Sequence, residues 1–230
     1  MKIPTFVSSS LVTRLIVVLA SIFSGVAVAG EGAPSSGFLA PAVEAKLSEV
    51  KLADDRKVKR WISADMTSAN YKAVMVDRVI FYPAPNPGPQ VSSSTLEAIA
   101  GYLTDSLRKK IGENATVTDT AGPGVLRMQP AITAVVVKKE GLSAKDIIPV
   151  HLLFSAASAA SGHMDEEVTA MIEVRVTDSV SGDYRAAVKL DLPGKKLQNK
   201  SAQLSLQDFQ KSLDTGAAGG ATVIHDALAQ

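Results

Sequence analysis

The 230-residue chain contains no cysteine. That excludes a disulfide framework, a thiolate nucleophile and any thiolate metal site, and it lets the chain enter an oxidising compartment with nothing to mispair. Its stability must come from packing. Histidine is scarce too: His151, His163 and His225 are the three present, and none has a second ligand at zinc-site spacing. His163-Met164-Asp165-Glu166-Glu167 is the densest group of hard ligands, yet neighbouring residues on a loop or strand point apart. No Gly-x-Ser-x-Gly elbow sets a serine on a strand-to-helix turn. Gly122-Pro123-Gly124 lacks, at Pro123, the N–H that a phosphate-cradling loop would donate. Carboxylates such as Glu173 and Asp183 read as exposed hairpin charges. We therefore assign no catalytic, cofactor-binding or metal-ligating residue and expect no cofactor.

An excess of charge of one sign is also missing. The chain has 24 basic and 23 acidic residues, a net charge of +1, and setting aside Lys2 and Arg14 leaves 22 against 23, or −1. No electrostatic footprint for nucleic acid survives that balance. Lys51, Arg56, Lys57, Lys59 and Arg60 cluster, but Glu49, Asp54 and Asp55 lie among them, which fits a solvated face.

A membrane-spanning run is absent near the N-terminus, where one would be sought. Lys2 and Arg14 are the basic residues of an n-region and Leu15 to Phe23 its apolar h-region. Ala27-Val28-Ala29 then offers small residues at the positions a signal peptidase accepts. Leu15 to Ala29 is about 15 residues, short of the ~20 that span a bilayer. The expectation is a secretory signal over 1–29, cleavage between Ala29 and Gly30, and a soluble periplasmic product. That product, about 200 residues, is large enough for one core and barely for two. We expect an extended N-terminal arm with a short helix over 30–66 and a single domain over 67–230.

Several elements are legible. Tyr71 to Tyr82 is rich in β-branched and aromatic residues and reads as a strand buried on both faces. The proline-rich run after it cannot continue the ladder. Ser94-Thr95-Leu96-Glu97 reads as a capping box, and Leu96, Ile99, Ala100, Leu103, Leu107 and Ile111 form one apolar stripe that Gly112 would end in a left-handed conformation. A short strand at 115–119 precedes a long one at 125–137, whose Pro130 predicts an edge position or a bulge. Val168 to Thr177 alternates as a half-exposed strand, with Tyr184 to Asp191 as its hairpin partner. Ser205-Leu206-Gln207-Asp208 caps a last helix that Gly216, Gly219 and Gly220 would bend, break or press against a neighbour. Trp61, the one tryptophan, reads as a core or lid residue.

The 147–162 segment passes from apolar residues into Ser155-Ala156-Ala157-Ser158-Ala159-Ala160-Ser161-Gly162. Small residues allow close packing or self-association. No basic polar face accompanies the apolar half, so membrane contact through Ile147 to Phe154 is the weaker reading.

Four groups of residues, in order, carry a resemblance. They are Ser36-Gly37-Phe38-Leu39; Tyr71-Lys72 leading to Asp77 and Val79; Gly122-Pro123-Gly124-Val125-Leu126-Arg127 with Ala131-Ile132-Thr133; and Asp178-Ser179-Val180-Ser181-Gly182. In these the chain resembles domain of unknown function family 3313, a family of bacterial envelope lipoproteins. The resemblance implies an envelope protein with an α+β domain and brings no known reaction. Typical members carry a lipobox cysteine where Ala29-Gly30 stands here, and a more polar run where Ala40-Pro41-Ala42 follows Leu39.

The expected fold is α+β: a mixed, mainly antiparallel sheet with two principal helices on one face, roughly βαβββα. The expected function is a non-enzymatic binding or envelope-assembly module whose partner is an unknown envelope protein or a second copy. A hydrolase or other enzyme with a site assembled from distant residues is the alternative.

Overall fold

A computed structural model of the chain describes residues 35–52, 55–85, 92–138, 147–149, 167–196 and 205–229. The signal segment expected over 1–29, the histidines 151 and 163, and residues 150–162 lie outside the described residues. The element order is α1 (Pro41–Glu44), β1 (Ser48–Lys51), β2 (Lys57–Ile62), β3 (Ala73–Val76), β4 (Ile80–Phe81), α2 (Ser93–Gly112), β5 (Thr116–Thr118), β6 (Val125–Lys138), β7 (Ile147–Pro149), β8 (Glu167–Asp178), β9 (Tyr184–Lys196) and α3 (Leu206–Leu228). The nine described strands form one sheet in the order β1-β2-β9-β8-β6-β3-β5, with β4 and β7 also paired to β6. The pairings of β3 with β5 and of β6 with β3 and β4 are parallel, and the rest are antiparallel. The fold is α+β, as expected.

The two long helices, α2 and α3, cover one face of the sheet. Leu96, Ile99, Ala100, Leu103, Leu107 and Ile111, the stripe read from the sequence, are the buried residues of α2. They share a core with Leu126, Met128, Ile172, Val174, Val188 and Leu190 of the sheet and with Leu213, Val223 and Ile224 of α3. Such side chains contribute about 1.5–3 kcal/mol each when removed from water. The start of α2 lies earlier than the capping box predicts: Ser92 is the N-cap, its hydroxyl accepting from Thr95 N at 3.1 Å, and Glu97 turns instead to Arg78. Gly112 stays helical, and the following Glu113 is right-handed.

Of the alternatives for α3, close packing is the outcome. The helix runs unbroken over Leu206–Leu228, and the Asp208 carboxylate accepts from the Ser205 N–H and hydroxyl, both at 3.0 Å. A Cβ on Gly216 would stand 2.6 Å from Leu192 Cδ2, and one on Gly220 would stand 3.0 Å from Leu107 Cδ2. These glycines let α3 lie closer to β9 and α2 than any side chain permits.

Four details depart from the sequence reading. The long strand over 71–82 is two short ones, β3 and β4, parted at Asp77–Val79. Pro130 sits in a central strand, paired with Val174. Met128 O and Ile132 O accept from Asp77 N and Tyr82 N, so alternation turns the N–H-less nitrogen of Pro130 to that same side, where β3 has ended and β4 has not begun. The bulge falls later, at Thr133. Where an extended arm was expected, β1 and β2 form a hairpin that pairs with β9. Its period of two was masked by charges on its solvent side, where Lys57 meets Glu49 at 2.7 Å. Finally, β8 is not half-exposed: Ile172 and Val174 are buried under the helices, and Glu173 on the opposite face is buried as well, because residues 35–47 lie over the sheet face that α2 and α3 leave free.

Candidate functional site

That second face is read from strand register. Residues directly opposite one another share a face. One row runs Gln129, Arg175, Ala187, Trp61, and the next runs Ala131, Glu173, Lys189, Lys59. Large polar side chains thus stand beside two alanines, and the alanines leave a recess. The segment preceding β1 fills it. Phe38, Leu39 and Val43 form a second buried cluster with Ala131 and Ala187, flanked by Leu47, Trp61 and Tyr184.

Polar contacts hold this strap down. Glu173, 1% exposed, accepts from the Ser36 hydroxyl at 2.9 Å and the Thr133 hydroxyl at 3.2 Å. The β6 bulge is what inserts Thr133 into that position. Lys189 Nζ lies 3.3 Å from the Glu173 carboxylate and also pairs with Glu44 on α1. Glu44 further accepts from Ser35 Oγ at 2.5 Å. Burial pushes the Glu44 carboxyl up, but the Lys189 ammonium, the Ser35 hydroxyl and the more distant Lys59 outweigh it and hold the group below its ordinary value. A lone buried carboxylate would be costly, so this set of donors is what makes Glu173 tolerable.

A second set adjoins the first. Arg127 grips Asp77 through Nε at 3.1 and 2.9 Å and through its terminal nitrogen at 2.8 Å. Gln129 donates to the same carboxylate at 3.0 Å and accepts from Arg175 Nε at 2.8 Å. The Arg175 guanidinium sits 4.9 Å from the Phe38 ring centroid, and Phe38 is 5.5 Å from the Tyr82 ring. On the strap's far side Lys46 Nζ lies 4.7 Å from the Trp61 ring. Trp61 is therefore a half-buried wall of this recess rather than part of the main core.

At the β8–β9 turn, Tyr71 donates its hydroxyl to Asp178 at 3.0 Å and accepts from Arg185 Nε at 2.6 Å. The Asp178 carboxylate is held below its ordinary value chiefly by the Ser181 N–H, with the Val180 N–H and Tyr71 assisting. Burial pushes the Tyr71 phenol up. Ser179 Oγ accepts from Gly122 N at 3.1 Å and donates to its carbonyl at 3.0 Å. Here the carboxylate closes a turn and fixes the ends of two loops.

The residues weighed in the sequence fall apart in space. Glu173, read as an exposed charge, is buried because the strap covers it. Asp183 is exposed in the turn, accepting from Ser181 Oγ at 2.9 Å. His225, exposed in the last turn of α3, borders a shallow cleft with Lys110, Asn114, Ala115 and Leu228. No group of three or more His, Asp or Glu gathered for a metal occurs among the described residues, and no described helix is long and apolar enough to cross a membrane. The Glu173–Lys189–Glu44 set was missed. Its one sequence signal was Ser36-Gly37-Phe38-Leu39, the apolar pulse in an otherwise small and polar stretch.

These features define a class before they define a family: an α+β domain with helices on one sheet face and its own N-terminal segment strapped across the other. The chain belongs to the family described as a protein of unknown function, DUF3313, whose match covers residues 34–219. The match therefore includes the strap, both polar sets and most of α3. An uncharacterised lipoprotein of Escherichia coli K12, YdcL, is 27% identical over 168 residues, which are 73% of this chain and 76% of the relative. Among solved structures, the PelC dodecamer from Paraburkholderia phytofirmans aligns over 75% of this chain and 97% of its own, at 9% identity and a TM-score of 0.37. The protein XCC0632 from Xanthomonas campestris aligns over 72% and 91%, at 9% identity and a TM-score of 0.38.

Proposed function

We propose that the protein is a non-enzymatic binding or envelope-assembly module, exported by the signal over 1–29 and released into the periplasm by cleavage between Ala29 and Gly30. The observation that carries this reading is the use made of its polar groups. Glu173 and Glu44 share the one Lys189 ammonium, and Asp77, Arg127, Gln129 and Arg175 form a second connected set, each engaged in holding the strap or joining strands. A catalytic group needs a face turned toward substrate, whereas these are turned toward one another. The lipoprotein relative supports an envelope setting. The partner is an envelope protein or a second copy, and the 147–162 segment serves as a self-association surface in the second case.

Size-exclusion chromatography with light scattering on the mature chain, together with crosslinking in cells, tests the reading. Recovery of a discrete partner or a defined oligomer is the expected result. A strict monomer that crosslinks to nothing contradicts it. N-terminal sequencing of the mature protein separately tests release, with Gly30 expected at the terminus.

A further inference from the structure

The strap is joined to the sheet in an unusual way. Among the described residues, no backbone–backbone hydrogen bond ties residues 35–47 to a strand. The backbone bonds of α1 and the turn after it run within the segment: Val43 N and Glu44 N to Ala40 O, Ala45 N to Pro41 O, Lys46 N to Val43 O and Leu47 N to Glu44 O. Its attachments are mostly side chains dropped into a recess, Phe38, Leu39 and Val43 over two alanines, with Glu44 on Lys189 and Ser36 on Glu173; the backbone adds one bond, from Ala40 N to the Tyr184 hydroxyl at 3.4 Å. This is how a segment laid into a groove by its side chains sits on a protein, not how a strand joins a sheet.

We propose that the outer sheet face is a segment-binding groove, and that Ser36–Glu44 is its resident occupant in cis, displaced by a partner segment of the same chemistry. The proposal rests on the binding-module reading and names its ligand. The matching segment carries two adjacent large apolar residues, as Phe38-Leu39 does, and a carboxylate five positions further on, as Glu44 does. Shape sets the first requirement, because Ala131 and Ala187 leave room for two large side chains walled by Trp61, Tyr184 and Arg175. Charge sets the second: Lys189 stands between two carboxylates, and when Glu44 leaves, the ammonium keeps Glu173 as a partner and accepts a new acid. The displaced strap hinges at Ala45–Leu47, outside β1, so release leaves the sheet intact.

The test uses the mature chain carrying Phe38→Ala and Val43→Ala, which loosens the strap without removing it, and a fluorescein-labelled peptide of residues 35–47. Anisotropy should show saturable binding at least about tenfold tighter than to the unaltered chain, whose groove is already filled. Adding Lys189→Met should weaken it at least about tenfold, as loss of a charged partner does. No saturable binding to the loosened chain, equal binding to both chains, or a Kd unmoved by Lys189→Met each overturns the groove. Where the double variant does not fold, Val43→Ala alone takes its place. A second readout exploits the absence of native thiols. Leu39→Cys should react with a maleimide at least about tenfold faster than Leu126→Cys in the helical core, because only the first is uncovered by local opening. Equal rates overturn the displacement. Failure of the peptide removes the groove and leaves the module reading standing; a strict monomer that crosslinks to nothing in the envelope removes the module reading.

Discussion

Toward the helices the sheet presents Leu126, Met128, Ile172, Val174 and Val188, and toward the strap it presents Arg127, Gln129, Glu173, Arg175 and Lys189 with alanines between. Both faces are covered, but by different physics. The first is closed by two long helices whose apolar stripes interdigitate with branched side chains, so its cohesion is spread over many contacts. The second is closed by the nine residues Ser36–Glu44 with three apolar anchors and two side-chain tethers, one a hydroxyl and one a charge. A face held at so few points is expected to open locally at a free energy below that of global unfolding.

Predictions follow from that contrast, the largest first. Leu103→Ala, at a fully buried position among α2, α3 and the sheet, should lower global stability by about 2–5 kcal/mol in denaturant titration. Gly216→Ala should cost about 1–3 kcal/mol by driving a methyl into Leu192, and Leu192→Ala in the same chain should recover part of that loss. Phe38→Ala, though it removes a larger side chain, should lower global stability by about 1 kcal/mol or less, since the loss is capped by the free energy of strap docking. If Phe38→Ala costs as much as Leu103→Ala, the two faces are one cooperative unit and the contrast breaks.

The smallest effect is acidification. The folded Glu44 carboxyl lies below its ordinary value of 4.5, so its contribution is present above that pH and is lost as pH falls through the lower folded value. The groups that face it are Lys189 of β9, Lys59 of β2 and Ser35 on the strap, with Glu173 of β8 sharing the Lys189 ammonium. Trp61 emission, sensitive to Lys46 above the ring, should change in that acid range before far-UV ellipticity does. Simultaneous loss of both signals would count against a separate strap. Glu44→Gln should remove the early emission change.

The same contrast explains what the sequence disclosed. The helical face was legible because period fixes it: the α2 stripe named from spacing is the set that is buried, and the β8–β9 hairpin follows from alternation around Asp178–Asp183. The strap face was not, because no period marks it. Glu173 alternates with Ile172 and Val174 as any solvent-facing residue would, and only coverage by residues 137 positions away in sequence, through Ser36, makes it interior. Lys189 beside Ala187 likewise reads as surface until Glu44 and Phe38 of the strap are placed over the two rows. The β1–β2 hairpin was hidden by its own surface charges. Pro130 misled because the break that accommodates it lies in the partner strands, not in its own.

Native-state hydrogen exchange on the mature chain tests the two-face account most directly. The amides of Val43, Glu44 and Ala45 are bonded only within the strap and its turn, so they report its opening separately from the strands. The account predicts that they exchange through a small opening nearly independent of denaturant, while amides of Met128 and Val174 exchange only through global unfolding. Convergence of all these amides on one free energy and one denaturant slope would contradict it.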